Sequence, residues 1–433
     1  MKISLIMPGR NNLRYAKWSY DSIQKNKGDH TVQICFADDA STDGTWEWCV
    51  EMMKVDSNFK AIRNEGPERV GHTILYDRLV NEVCTNDLAM IWHCDMYLAP
   101  GALDAIEKQM YNAKMAPRKI IKEQIPKRIV SLTRIEPPLH PPGPEKIVND
   151  FGDEPDNFNE EGFLTLINSK VVTVENKGKT TKGVFAPWAF WVEDFKAVGG
   201  HDPLFAPQSK EDSDIWNRLL LNGCEFIQTW QGFVYHLTSR GNRRNVLEGA
   251  PNARTNNPAW ERQNIISSRN FIRKWGSFVK HDEYIHPIVV PKYTKTLIMT
   301  NANMRDIVAW EPWFDNIIVC KPTLAMAQKL VDEYCTVHQG ETLYKLSVRL
   351  AAAANADADD LYASDDVDHI VCLIDSEQMN QDYVNIFMNF NEILSTVDGP
   401  GEYQFNLLNV NVHLLEDQLA RPFTDIDFSR TEK

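Results

Sequence analysis

The 433-residue chain has no C-x-x-C pair among its eight cysteines, no internal repeat, and no apolar run near the roughly 20 residues that a membrane-spanning helix needs. Cys35, Cys49, Cys84, Cys94, Cys224, Cys320, Cys335 and Cys372 lie scattered, and three of them fall inside apolar runs. That pattern points to buried reduced thiols, against a disulfide framework or a thiolate zinc site. Only about five apolar residues precede Pro8-Gly9, too few for the core of a secretory leader. Ile3–Met7 therefore reads as a first strand, and the protein as soluble and cytoplasmic with no membrane partner.

Positive charge is also scarce. Against 60 Asp and Glu stand 46 Lys and Arg, a net charge of −14. The excess is local: residues 281–433 hold 10 basic and 25 acidic residues, whereas residues 1–280 hold 36 and 35. The acidic third reads as a solvated, solubilising surface, and the first 280 residues stay open to an anionic partner. At this length the prior is two domains.

Over the first hundred residues apolar runs alternate with helically spaced residues. Runs at Ile3–Met7, Val32–Ala37, Phe59–Ile62 and Leu88–Trp92 predict strands. Between them Leu13, Ala16, Tyr20 and Ile23, then Trp46, Val50 and Met53, then Leu75, Leu79 and Val83 predict helices. Such alternation builds a mostly parallel α/β sheet with helices on both faces, whose ligands bind at the carboxyl ends of the strands. Residues 114–134 are basic, and residues 136–160 predict a long irregular loop. Apolar patterning resumes at Val184–Val192, and helices fit Asp214–Leu221 and Trp260–Trp275. The expected organisation is a domain over 1–280, a linker over 281–295, and a smaller acidic α/β domain over 296–433. In that last domain strands are expected at Thr296–Met299, Asn316–Cys320 and His369–Ile374. Helices are expected at about Thr323–Val337 and Tyr344–Ala354.

The polar residues after each strand carry the chemistry. Pro8-Gly9-Arg10-Asn11 follows the first strand, and Asp38-Asp39-Ala40-Ser41-Thr42-Asp43 the second. Two acids followed by small and hydroxyl residues suit a nucleoside grip; Ser41, Thr42 or Asp43 equally suits a helix cap. Asp95 follows the fourth strand, where a carboxylate can hold a divalent cation or cap the next helix. Glu211-Asp212 starts a helix, where acids complement the dipole and an Asp can serve as a general base. His236 stands near a strand end, a position more often structural than metal-binding.

Taken in order, IMPGRNN, ADDASTDGT, WHCDMYLAP, AVGGHDPLF, EDSDIWNRL, YHLTSRGN and RKWG resemble glycosyltransferase family 2 over residues 1–276. The resemblance implies a GT-A fold and a metal-dependent, inverting hexosyl- or pentosyltransferase. Its donor would be a nucleotide-diphosphate sugar, UDP-linked, and its acceptor a hydroxyl. Pro8, Arg10, Asn11 and Asp39 then lie at the nucleoside, with Asp38 and Arg69 as further donor contacts. Asp95 and His236 hold manganese or magnesium, and Asp212 is the catalytic base. His93 and Cys94 depart from the family, which has an earlier Asp there; its contact is lost or falls to His93.

The acceptor side is expected to include Trp188, Trp191, Glu211 and Arg240. Arg243 and Arg244, together with Lys114, Arg118, Lys119, Lys122, Lys127, Arg128 and Arg134 (against Glu123), are expected to border the site mouth. The chain also resembles, in general style, soluble bacteriophage glycosyltransferases, some of which modify hydroxymethylated pyrimidines of DNA, arabinose being one sugar transferred. The readings are thus transfer to a saccharide, a lipid-linked sugar or a protein, transfer to hydroxymethylated DNA, or a non-catalytic nucleotide-sugar-binding scaffold. Asp357, Asp359, Asp360, Asp365, Asp366 and Asp368 lack EF-hand spacing and read as a solvated loop.

Overall fold

The computed structural model describes residues 1–111, 126–241, 243–252, 254–354, 358–364, 369–406 and 408–428. The basic residues Lys114, Arg118, Lys119 and Lys122, with Glu123, lie outside the described residues, as do Asp357, Asp365, Asp366 and Asp368 of the acidic cluster. The chain divides into two compact units, residues 1–264 with 281–288, and residues 265–280 with 289–433. Among the described residues no helix is long and apolar enough to cross a membrane.

The first unit is built on strands β1 (Lys2–Gly9), β2 (Thr31–Asp39), β3 (Phe59–Asn64), β4 (Leu88–Ile91), β5 (Met96–Leu98), β6 (Arg128–Glu136), β7 (Lys146–Val148), β8 (Thr180–Thr181), β9 (Trp188–Trp191) and β10 (Glu225–His236). Its helices are α1 (Leu13–Asn26), α2 (Thr45–Val55), α3 (His72–Arg78), α4 (Ala102–Tyr111), α5 (Glu160–Ile167), α6 (Lys170–Glu175), α7 (Val192–Ala197), α8 (Glu211–Leu221) and the start of α9 (Pro258–Trp275). The sheet runs β3-β2-β1-β4-β9-β6-β10-β5, with β7 beside β6 and β8 beside β10. β3, β2, β1 and β4 are mutually parallel, as are β6 and β10, while β9 lies antiparallel between β4 and β6. This is the α/β architecture expected from the strand–helix alternation.

Local sequence explains the elements. Everything in β2 except Thr31 is buried, as a strand covered on both faces requires. Helix α1 buries Ala16, Ser19 and Ile23, one stripe at helical spacing. Trp48 on α2 meets Phe36 and Phe59 edge-on, so the helix locks onto β2 and β3.

The second unit holds β11 (Lys295–Thr300), β12 (Asn316–Lys321), β13 (Leu350–Ala354), β14 (Ile370–Asp375), β15 (Gly401–Phe405) and β16 (Leu408–Val412), in the order β13-β12-β11-β14-β16-β15. Helices α10 (Met304–Trp310), α11 (Leu324–His338), α12 (Leu346–Arg349), α13 (Ala358–Ala363), α14 (Gln381–Met388) and α15 (Phe390–Leu394) connect them. The helix expected over Tyr344–Ala354 ends at Arg349, and its alanine run is strand β13 instead. Ladder pairing of Leu350–Ala354 with β12 overrides the helical preference of alanine.

Candidate active site

β1 and β2 run parallel in a register that sets Gly9 beside Asp38, so the two strand ends deliver Arg10, Asn11, Asp38 and Asp39 together. A side chain at Gly9 would lie 2.9 Å from the Phe36 ring and 3.1 Å from Cys94 Sγ, so the strand end must be bare there. The Cys94 thiol donates to the Pro8 carbonyl at 3.5 Å, tying the turn before Asp95 to the end of β1. Asp38 is fully buried, and burial raises its carboxyl although Arg63 stands 3.2 Å away. Asp39 accepts from Asn64 Nδ2 at 2.8 Å, the Val70 amide at 3.0 Å and the Gly71 amide at 2.9 Å.

Arg10 donates from Nε to both Glu248 oxygens, at 3.1 and 3.0 Å, and from Nη1 to the carbonyls of Asp39 and Ala40. Asn11, at φ 50°, donates to Glu248 Oε1 and accepts the Thr42 amide at 2.8 Å. Arg10 and Asn11, two of the expected donor residues, are thus bound within the protein by one carboxylate from the one-turn helix Val246–Glu248. Arg69 donates to Gln208 at 3.1 Å, and its Nε is buried with no hydrogen-bond partner among the described residues.

The segment that Asp39 grips reaches the start of α8. A Cβ on Gly71 would lie 2.0 Å from the Pro207 carbonyl oxygen, so Gly71 packs directly on that backbone. Ser209 and Lys210 follow at φ 81° and 71°, two consecutive residues in the left-handed region. Such strain costs about 1–3 kcal/mol per residue and gathers where a fold aims a functional group. Glu211 and Asp212 open α8 immediately afterwards.

Glu211 is buried and bonded to His72 Nε2 at 2.7 Å, and its second oxygen has no hydrogen-bond partner among the described residues. Burial alone would raise its carboxyl, but the His72 contact brings it below the usual range. Asp212 is partly exposed and makes no hydrogen bond among the described residues. Burial, then the charge of Glu211, push its carboxyl up to about 7. The Tyr76 phenol is raised by burial and then by Asp212, Glu211, Cys94 and Asp95, so both ends of the site act on one buried ring.

His93, Asp95 and His236 each offer a ligand atom, all within 4.8 Å of one another. His236 Nε2 lies 3.4 Å from Asp95 Oδ1, and the other Asp95 oxygen accepts the Arg240 amide at 3.2 Å. Burial would raise Asp95, but the two histidines and that amide outweigh it and hold the carboxyl at about 2. Burial lowers His93 to about 4. His236 faces Asp95 on one side and Glu136, at 2.9 Å, on the other; against the opposing effect of burial these raise it to about 9.

On the expected acceptor side, Trp188 is fully buried in the sheet and offers no face for stacking. Trp191 pairs with Leu88, the first residue of β4, and so lies toward the other end of that strand from Asp95. The Arg240 guanidinium is buried and donates to the Asp153 carbonyl at 3.0 and 2.7 Å, which makes it a tie for the 150–154 loop. Arg243 stacks over Trp260 at 4.5 Å.

Glu136, His72 and Glu248 were not singled out by the sequence. Each lies in a polar or irregular stretch, and each earns its place through a partner 100, 139 or 238 residues away. No local pattern signals such a pairing.

Residues 4–172 match the family model described as Glycosyl transferase family 2. That segment includes Arg10, Asp39 and Asp95 and stops before Asp212 and His236. The chain matches no curated protein. Among solved structures it is similar to residues 1–349 of TarS from S. aureus, at 16% identity and a TM-score of 0.33, over 55% of this chain and 59% of that one. The complex of the same TarS fragment with UDP-GlcNAc gives 15% identity and 0.35, over 55% and 61%. GalNAc-T7 with UDP, GalNAc and Mn2+ gives 12% identity and 0.38, over 55% and 44%. The chain thus spans less than two thirds of each of these structures.

Proposed function

We propose that this chain, whose residues 4–172 match Glycosyl transferase family 2, is a glycosyltransferase that moves a sugar from a nucleoside diphosphate, UDP in the first instance, to an acceptor hydroxyl with inversion. The observation that carries the reading is an Asp212 carboxylate, raised to about 7, whose charge acts on the buried Tyr76 phenol together with that of Asp95 from the His93–Asp95–His236 group. Two imidazoles and a carboxylate fit a divalent transition-metal cation such as manganese better than magnesium, which prefers oxygen donors. Such a cation, when bound, would offset the charge of the departing diphosphate.

Asp212 takes the proton of the acceptor hydroxyl. The acceptor oxygen forms its bond to the anomeric carbon as the bond from that carbon to the diphosphate oxygen breaks, and the nucleoside diphosphate leaves with the electron pair. A carboxylate near 7 suits the task, since it is about half ionised at neutral pH and basic enough to accept a proton. One base and no covalent partner give inversion. At the other end of the site Asp39, Arg10, Asn11 and Arg69 surround the nucleoside.

The acceptor has two readings. A saccharide or other neutral hydroxyl is the first. Hydroxymethylated DNA is the second, supported by Arg244, whose Nε is buried without a partner, and by Arg243 stacked on Trp260. Salt-sensitive binding of duplex DNA separates them. The test of the chemistry is release of nucleoside diphosphate from a panel of nucleotide sugars with Mn2+. Turnover that is lost in Asp95→Asn supports the reading; no turnover or binding of any donor by the wild-type chain ends it.

A further inference from the structure

We propose that Glu136 is the positioning residue of the cation site, holding the His236 ring so that Nε2 is the atom presented to the ion. The inference rests on the cation-holding role assigned above to His93, Asp95 and His236. Glu136 ends β6 and His236 ends β10, and these strands are parallel neighbours with Ile135 set beside Tyr235. The next pair in that register brings Glu136 and His236 side by side, and Glu136 Oε1 accepts from His236 Nδ1 at 2.9 Å.

Glu136 is itself held. Arg134, two residues back and so on the same strand face, donates at 2.6 Å, and Lys146 on β7 donates at 3.0 Å. The Arg134 guanidinium lies 3.7 Å over the Phe185 ring, which fixes it from the other side. A carboxylate as buried as Glu136 would otherwise be costly. With two cations on it, the carboxylate stays ionised and rigid. Nδ1 is thereby used, and Nε2, 3.4 Å from Asp95, remains as the ligand atom. A carboxylate behind a ligating histidine sets its tautomer and ring angle, and its loss typically weakens metal binding about 10–100-fold.

The experiment is a Mn2+ titration of the full chain followed by the paramagnetic resonance of the free ion, with the visible spectrum of the Co2+-loaded protein alongside. Glu136→Asp keeps the charge that Arg134 and Lys146 need and withdraws the carboxylate by one methylene; Glu136→Gln removes the charge. Both variants are expected to bind Mn2+ about 10–100-fold more weakly than wild type and to shift the Co2+ bands. In Zn2+-loaded wild type, nitrogen NMR is expected to show His236 protonated at Nδ1, a readout independent of how the variants fold. Wild-type affinity and spectrum in both variants, or a proton on Nε2, overturns the role of Glu136 while leaving the cation site standing. A wild-type chain that takes up neither Mn2+ nor Co2+, behaving like Asp95→Asn, overturns both.

Discussion

Asp39 holds Gly71 by its amide at 2.9 Å, and Gly71 in turn lies bare against the Pro207 carbonyl. A carboxylate at the end of β2 is therefore linked, through one glycine, to the turn that launches α8 and Asp212. In the function proposed above, this link sets where Asp212 stands relative to the Asp39 end of the site. Gly71→Ala places a methyl into backbone at φ +84°. It is expected to cost about 1–3 kcal/mol in chemical denaturation and to lower kcat more than a comparable surface change. An unchanged denaturation midpoint would show that the contact is soft.

Glu211 and Asp212 titrate against each other. Burial and the Glu211 charge raise Asp212 to about 7, and in the role of base proposed above it works only when ionised. The rate should therefore climb as pH rises through 7. Glu211→Gln removes the like charge, so the acid limb of kcat/KM should move down by about one unit. A limb that stays in place assigns it to another group.

Asp212 also carries a stability cost. Its folded carboxyl is raised above the unfolded value of about 3.9, so the folded state holds a proton that the unfolded chain releases. Stability from this residue falls as pH climbs from about 4 to about 7. Asp212→Asn cannot ionise. It should melt roughly a few degrees higher than wild type at pH 8 and equally at pH 4, while activity falls about 10²- to 10⁴-fold. Calorimetry at the two pH values checks the sign.

The His93–Asp95–His236 group bears on which cation serves best. Imidazole nitrogens suit manganese better than magnesium, which prefers oxygen donors. After chelation, Mn2+ should restore more turnover than Mg2+ at equal concentration. His93→Asp should narrow that gap, and equal restoration in the wild type would argue that His93 stays off the ion.

In the second unit, Glu311 is fully buried and bonded to Arg273, Arg269, Arg349 and the Tyr334 hydroxyl. Burial would raise its carboxyl, but Arg273 and Arg349 outweigh it and hold it well below the usual range. Its contribution is thus present above the ordinary carboxylate pKa and lost only as pH falls far below it. Glu311→Gln leaves three guanidinium groups without their anion and should cost about 3–5 kcal/mol at neutral pH, read by denaturant unfolding.

Much of the first sheet was readable from the chain. Ile3–Met7, Val32–Ala37 and Leu88–Trp92 are apolar runs broken only by Ser4 and Gln33, which are buried and bonded to each other, and a strand buried on both faces has little choice but to look like that. β6 escaped notice because Ser131, Thr133, Arg134 and Glu136 are buried in it, so a central strand carries the composition of a basic surface segment. β13 escaped because alanine is a helix former wherever pairing does not intervene.

Sequence by itself determined the α/β class and the places of Asp39 and Asp95 at or after strand ends and of Asp212 at a helix start, because strand periodicity and turn residues are local properties. Only the tertiary structure decided which partner each polar group would have. It set Glu136 behind His236, His72 on Glu211 and Glu248 on Arg10, and it put Trp188 inside the sheet. Those outcomes depend on register and strand order, which bring together residues a hundred or more positions apart, and hydrogen bonds only a few ångströms long form where the fold puts the atoms.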